Sequence, residues 1–365
     1  TRKNLTPCTM SSDLVRNVSH ALSCWGNKML FASRTATAFS IYKALTRITA
    51  RAFNLIARSG AKVSAVVAGV FFVVCALVAE ASAGILVDAG LPNGGGDDTA
   101  TFQNILNNGD IVSLRPGLTY TISAPLEIKT SGSGLATASG APATIHMSAA
   151  FNNTDGGAQF IRPGQAGQQK SYGIYAGNIS NVTLENFKIR KLGPGGVHDD
   201  GKWVSAIWFA DTSNSKIVKV EAWGFSLGAV IALDNVTDIT VRNSIVRDSY
   251  SNINTYAGQG RPQLTGLTID DSTNDFSEDV TIVGNTFRNL RFGPAAFAAY
   301  GYETDGITVV ANNAAQPGGN PNDRAQRVHI IGNVFDTVGE GVDFFGGNGL
   351  IKQNVTRNTY LFGIK

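Results

Sequence analysis

The chain has 365 residues, of which 43% are hydrophobic and 16% charged, with 41 Gly, 11 Pro and only 3 Cys. That composition excludes a collagen-like repeat, a disulfide-stapled miniprotein and a wholly disordered chain. Charge is divided unevenly: residues 1–83 carry 10 Lys+Arg against 2 acids, whereas residues 84–365 carry 20 against 25, so the overall +3 makes no case for a nucleic-acid partner of the main body.

Residues 63–79, VSAVVAGVFFVVCALVA, form an uncharged apolar run after Arg58 and Lys62, and Ala81-Ser82-Ala83 follows it. A positive flank, a short hydrophobic stretch and a small-x-small site predict a secretory signal cleaved after Ala83. The alternative is an uncleaved anchor, because about 17 residues lies at the short limit of a spanning helix. Residues 1–83 are therefore read as an extension and signal, with Met29 as an alternative start. Residues 84–365 are read as one domain, located outside the cell, in a periplasm or on a cell surface. No membrane span is expected after cleavage. All three cysteines, Cys8, Cys24 and Cys75, fall in the front segment, so the domain has no thiol or disulfide chemistry.

The domain opens with Asp97-Asp98-Thr99, Phe102, Ile105, Leu106 and Gly109. A capping residue, apolar i/i+3/i+4 spacing and a glycine stop predict a short amphipathic helix that closes one end of the fold. Strands are expected at 111–114, 120–122 and 126–128. From there the sequence becomes short β-branched runs separated by Gly, Asn, Asp and Ser.

These runs repeat. An apolar residue, a position three later and another five later recur as Leu184/Phe187/Ile189, Val220/Trp223/Phe225, Val241/Ser244/Val246, Ile282/Asn285/Phe287, Ile330/Asn333/Phe335 and Ile351/Asn354/Thr356. The shortest interval is 21 residues (220 to 241 and 330 to 351), which suits a rigid unit carrying insertions. Each unit has a second strand: 206–209, 230–233, 266–269, 306–309 and 341–344. Alternation points Ile207/Phe209, Ile231/Leu233, Leu267/Ile269, Ile307/Val309 and Val342/Phe344 inward, and puts Trp208, Ala232, Thr268, Thr308 and Asp343 in an outward column. Asn285, Asn333 and Asn354 take one place in successive units, where side-chain amides can bond along a stack. Parallel sheets wound into a helix of strands satisfy all of this.

Gly94-Gly95-Gly96-Asp97-Asp98-Thr99 through Leu106, followed by Ile111-Val112-Ser113-Leu114-Arg115-Pro116-Gly117-Leu118-Thr119-Tyr120, resembles the beginning of the pectate-lyase-like superfamily of right-handed parallel β-helix proteins. The units from Gly173 onward are similar to its Asn-rich coils. The resemblance implies an all-β, single-stranded right-handed parallel β-helix with a short N-terminal capping helix, and a carbohydrate-related role. It does not fix the reaction, because lyases, hydrolases, epimerases, esterases and phage tailspikes share the architecture.

Chemistry is expected on the long insertions 190–203, 248–264, 288–303 and 310–327. Trp203, Tyr250, Tyr256, Tyr300 and Tyr302, with Trp208 from the outward column, offer flat faces for sugar rings. Thr304-Asp305-Gly306-Ile307 resembles the Asp-bearing strand of polygalacturonase-type hydrolases, and Glu340 and Asp343 follow one coil later. Glycoside hydrolysis needs a proton donor and a carboxylate that activates water. Departures from that family are the Gly339-Glu340-Gly341 in place of paired aspartates and Gly347-Asn348-Gly349 in place of Gly-His-Gly. Asp270 and Asp271, with Asp199 and Asp200, form an oxygen-rich set suited to Ca²⁺. Elimination asks instead for a base and for cations that neutralise a uronate, and His198, Lys202, Arg261, Arg288 and Arg291 are available for that. Val197-His198-Asp199-Asp200 echoes only the end of the Asp-Pro-His-Asp run of alginate epimerases.

The sequence therefore predicts an exported enzyme that cleaves an acidic polysaccharide, β-elimination being placed just ahead of hydrolysis. A non-catalytic glycan-binding or adhesive solenoid is the competing class. No nucleic-acid partner is expected, and oligomeric state is left open. Phe362-Gly363-Ile364-Lys365 falls within a coil with no capping segment after it, so further coils downstream are expected.

Overall fold

Three parallel sheets share the chain between them, each strand hydrogen-bonded to its counterpart one coil earlier and one coil later. The computed structural model describes residues 84–148, 172–191, 204–226, 228–251, 264–270, 277–293, 304–310 and 324–365. The expected export segment and the extension before it lie outside these residues. Ser82–Lys365 forms one compact unit. Among the described residues no helix is long and apolar enough to cross a membrane.

Sheet 1 has nine strands, from Leu86–Asp88 to Leu350–Lys352; sheet 2 has eight, from Thr119–Ile122 to Val355–Arg357; sheet 3 has eight, from Leu126–Ile128 to Phe362–Ile364. The chain passes through the sheets in turn and returns to the first, and this winding is the right-handed parallel β-helix that the repeats predict. Strand lengths agree closely at the start of the domain, where strands occupy Ile111–Leu114, Thr119–Ile122 and Leu126–Ile128.

Registry builds the core. In sheet 1, Leu135, Leu184, Ile217, Val241, Ile282, Ile330 and Ile351 stand one over another. In sheet 2 the inward column runs Ile145, Ile189, Ala222, Val246, Phe287 and Phe335, the two phenylalanine rings stacked with centroids 5.4 Å apart. Sheet 3 contributes Ile174, Ile207, Ile231, Leu267, Ile307 and Val342. These columns form one continuous buried cluster, which supplies the driving force for stacking.

One predicted unit is displaced. The coil assigned to Val220/Trp223/Phe225 is Ile217/Val220/Ala222: Ile217 pairs with Leu184 and Val241, and Ala222 with Ile189 and Val246. Both triplets satisfy the spacing, and a small alanine in the aromatic column hid the true one. Trp223 consequently faces outward on sheet 2.

The sharp corner between sheets 1 and 2 has a fixed recipe. Asn186, Lys219, Asn243, Gly284, Gly332 and Gln353 all have positive φ there, a conformation that Asn and Gly adopt at least cost. The next residue carries the ladder. Asn333 accepts from the Asn285 backbone N–H at 2.9 Å and donates to Ile282 O at 3.0 Å, and Asn354 repeats both bonds one coil on, at 2.9 Å from Asn333 N and 2.8 Å to Ile330 O. Ser244 holds the same place with a hydroxyl, accepting from Val220 N–H at 3.1 Å.

The expected helix, α1, spans Thr99–Asn107 and buries Phe102, Ile105 and Leu106. Asp98 is its N-cap by position, but its carboxylate accepts instead from Thr121 N–H at 2.8 Å and Asn93 N–H at 3.1 Å. Asp97 supplies the side-chain cap, accepting from Thr99 N–H at 2.9 Å. Gln103 bonds both backbone groups of Glu127, at 2.8 and 2.9 Å, so α1 also satisfies the free edge of the first sheet 3 strand.

Candidate carboxylate site on sheet 3

The outward face of sheet 3 carries two parallel columns. One runs Ala229, Thr265, Asp305 and Glu340; the other runs Trp208, Ala232, Thr268, Thr308 and Asp343. This is the outward column that alternation predicts. Its upstream half is covered, however: both faces of Ser205–Ala210 and Gly228–Asp234 are buried. Trp208 is only 1% exposed and stands edge-on to Tyr172 and Tyr175, with ring centroids 6.1 Å away in each case. Small Ala229 and Ala232 on the next strand complete this second apolar cluster. Trp208 is thus a packing residue and not the exposed sugar platform expected of it.

The downstream half holds the acids. Asp305 and Glu340 are register partners on strands Thr304–Val309 and Glu340–Phe344, so their Cα atoms lie one strand spacing apart, about 4.8 Å. The glycine after each is required for this approach: a Cβ on Gly306 would stand 2.3 Å from the Phe335 ring and 2.6 Å from Gly341 O. The local Thr-Asp-Gly sequence therefore follows from a strand that bends hard over an aromatic core immediately after its acid. Thr304 fixes the bend, donating to Leu290 O at 2.9 Å and accepting from Gly339 N–H at 2.9 Å.

Burial pushes the Asp305 carboxyl up to about 7 from its ordinary 3.8, and the negative charges of Glu340 and Asp343 add to the rise. The Thr308 hydroxyl, donating to Asp305 Oδ2 at 2.9 Å, and the more distant Lys365 ammonium act the other way. Lys365 Nζ lies 3.5 Å from Asp343 Oδ2 and 3.6 Å from Glu340 Oε2. Glu340 is buried, Asp343 is more open at 15% side-chain exposure, and Lys365 is exposed. Asp343 Oδ1 is buried with no hydrogen-bond partner among the described residues. One carboxyl poised to be protonated at neutral pH thus sits beside two further carboxyl groups that share the Lys365 ammonium, a grouping suited to general acid–base work.

Of the residues expected at a site, the fold gathers Asp305, Glu340 and Asp343. His198, Lys202, Arg261, Trp203, Tyr256, Tyr300, Tyr302, Asp199, Asp200 and Asp271 lie outside the described residues. Asp270 ends the strand Leu264–Asp270 in register with Asp234. Among the described residues no group of three or more His, Cys, Asp or Glu is arranged to hold a metal ion. Arg288, Arg291 and Tyr250 belong to sheet 2, away from the acids' sheet. Lys365 and Thr308 were not foreseen as site residues. Aligning Gly363 under Gly341 would have placed Lys365 beside Asp343.

No family model matches the chain, and no curated protein matches its sequence. Among solved structures it is similar to an alginate lyase from Paenibacillus, at 14% identity over 77% of this chain and 97% of that one, with a TM-score of 0.35. It is also similar to PfbA, a surface adhesin of Streptococcus pneumoniae, at 15% identity over 77% of this chain and 81% of that one, TM-score 0.40. An iota-carrageenase complexed to iota-carrageenan fragments matches at 11% identity over 71% of this chain and 56% of that one, TM-score 0.37.

Proposed function

We propose that this chain is an exported carbohydrate-active enzyme that hydrolyses glycosidic bonds in a polysaccharide, with Asp305 as proton donor. The supporting observation is the raised Asp305 carboxyl set against Glu340 and Asp343. In this reading Asp305, protonated up to about pH 7, delivers its proton to the leaving oxygen. Asp343, the more exposed of the other two acids, receives the proton of the attacking water. Glu340 keeps the Asp305 proton in place by its charge. Thr308 aims the Asp305 carboxyl through its hydroxyl bond.

The elimination reading rests on His198, Lys202 and Arg261, which lie outside the described residues. The groups gathered around Asp305 are carboxylates, a hydroxyl and one ammonium, and this set favours hydrolysis. An acidic polysaccharide is the substrate class that the sequence resemblance implies, and a place outside the cell accords with it.

The test is to incubate the full chain with pectate, alginate and bacterial exopolysaccharides. New reducing ends without the absorbance of unsaturated ends are expected, as is a loss of about 10²–10⁴-fold in Asp305→Asn with the fold retained. Unsaturated ends would assign the chain to elimination. Glycan retention with no cleavage across the panel would make it a binding solenoid.

A further inference from the structure

The outward face of sheet 2 differs from that of sheet 3 in carrying a row rich in arginine. One column there runs in unbroken register through His146, Arg190, Trp223, Arg247 and Arg288. It continues through Asp336, which is paired at 3.1 Å with Arg357, its register partner on the next strand. Neighbouring like charges in register work against folding, and one such pair occurs here, Arg247 beside Arg288; burial and the Arg190 charge push His146 below its ordinary pKa, toward the neutral form. Internal acids neutralise only part of the column. Glu221 is shared between Arg247 at 2.5 Å and Lys188 at 3.4 Å, and Asp248 bonds Arg247.

Other donors of the column have no partner among the described residues. Arg288 is exposed and has no ion-pair partner within 4 Å among the described residues. Arg190 Nε and His146 Nε2 are buried without hydrogen-bond partners among the described residues. Arg247 lies 4.6 Å over the Trp223 ring; its bonds to Glu221 and Asp248 use Nε and Nη1, so both donors of Nη2 stay available. Trp223 therefore serves to hold that guanidinium flat and outward.

We infer that this column is a second glycan-binding surface, which holds an anionic polysaccharide extended along the solenoid axis. Arginines stand on three of these five rungs, and Arg247 and Arg288 are one strand spacing of about 4.8 Å apart, so carboxylates or sulfates spaced along an extended chain would meet several guanidiniums. Nucleic acid fits less well. The only aromatic face in the column is already occupied by Arg247, leaving no platform for a base, and residues 84–365 carry more acids than bases. The choice of a glycan over other polyanions rests on the proposed function; the cationic column itself does not.

The test is affinity electrophoresis of the full chain through gels containing dextran, dextran sulfate or polygalacturonate, over a range of salt. Retardation is expected with the two charged polymers and not with dextran. Arg288→Gln and Arg190→Gln are each expected to weaken it about fivefold and to lower the slope of log affinity against log salt by up to about one. Arg288→Lys should restore most of the loss, and unchanged melting confirms that each variant is folded. A chain that dextran sulfate retards but that cleaves nothing would keep this surface and lose only the catalytic reading. Wild-type retardation in both Gln variants would overturn the proposal. So would a single-stranded oligonucleotide displacing polygalacturonate at equal charge, which would assign the surface to nucleic acid.

Discussion

At Asp305 the burial that favours the acid form also works against the fold. The carboxyl titrates at about 7 when folded and near its ordinary 3.8 when unfolded. Between those values the folded state binds more protons, so the contribution of this group to stability is most favourable below about pH 4, falls as pH rises toward 7, and carries the full penalty above it. Asp305→Asn removes the penalty while an amide oxygen can still accept from Thr308. The variant is expected to be inactive yet more stable than wild type by on the order of 2–4 kcal/mol at pH 8, the difference vanishing at pH 3. Urea unfolding at the two pH values measures this. A variant less stable than wild type at pH 8 would mean that the fold stabilises the carboxylate. Cleavage by wild type should correspondingly decline as pH rises through 7.

The corner between sheets 1 and 2 is the element on which stacking depends. Asn333 is fully buried and closes four bonds, two to Asn285 and one each to Ile282 O and Asn354. Asn333→Ala strands Ile282 O and Asn285 N–H in the core, and at about 1–3 kcal/mol per orphaned group should cost several kcal/mol in chemical denaturation. A cost below 1 kcal/mol would show that the ladder is dispensable. Lys219 holds a positive φ of 54° at a corner where two other coils use glycine. Lys219→Gly should stabilise by roughly 1 kcal/mol, since it relieves the Cβ clash of the left-handed conformation; a loss of stability would show that the lysine side chain matters more than its backbone. The asparagines of this corner were legible in the sequence because an amide repeats at one place. Ser244 and Val220 were less so, since neither residue type announces a ladder, and the Val220 coil was misplaced by three residues because small Ala222 stands where other coils carry a larger apolar side chain.

Over the whole molecule, sequence legibility follows what the stack constrains. Leu184, Val241, Ile282 and Ile330 were readable as one column because a buried position tolerates few residue types, and the Asp305, Glu340 and Asp343 group follows from the same registry. Exposure was not readable. Trp208 and Asp343 belong to the same outward column, but one is covered and the other open, and local alternation carries no information about what lies over a sheet. The carboxylate site is thus a product of two adjacent coils, and its protonation should report their contact. Titration of the Asp305 carboxyl carbon by NMR in aspartate-labelled protein, assigned with Asp305→Asn, should give a midpoint near 7. That midpoint should drop in Glu340→Gln, which removes a neighbouring charge from the next coil. A midpoint near 4, or one indifferent to Glu340, would contradict the account.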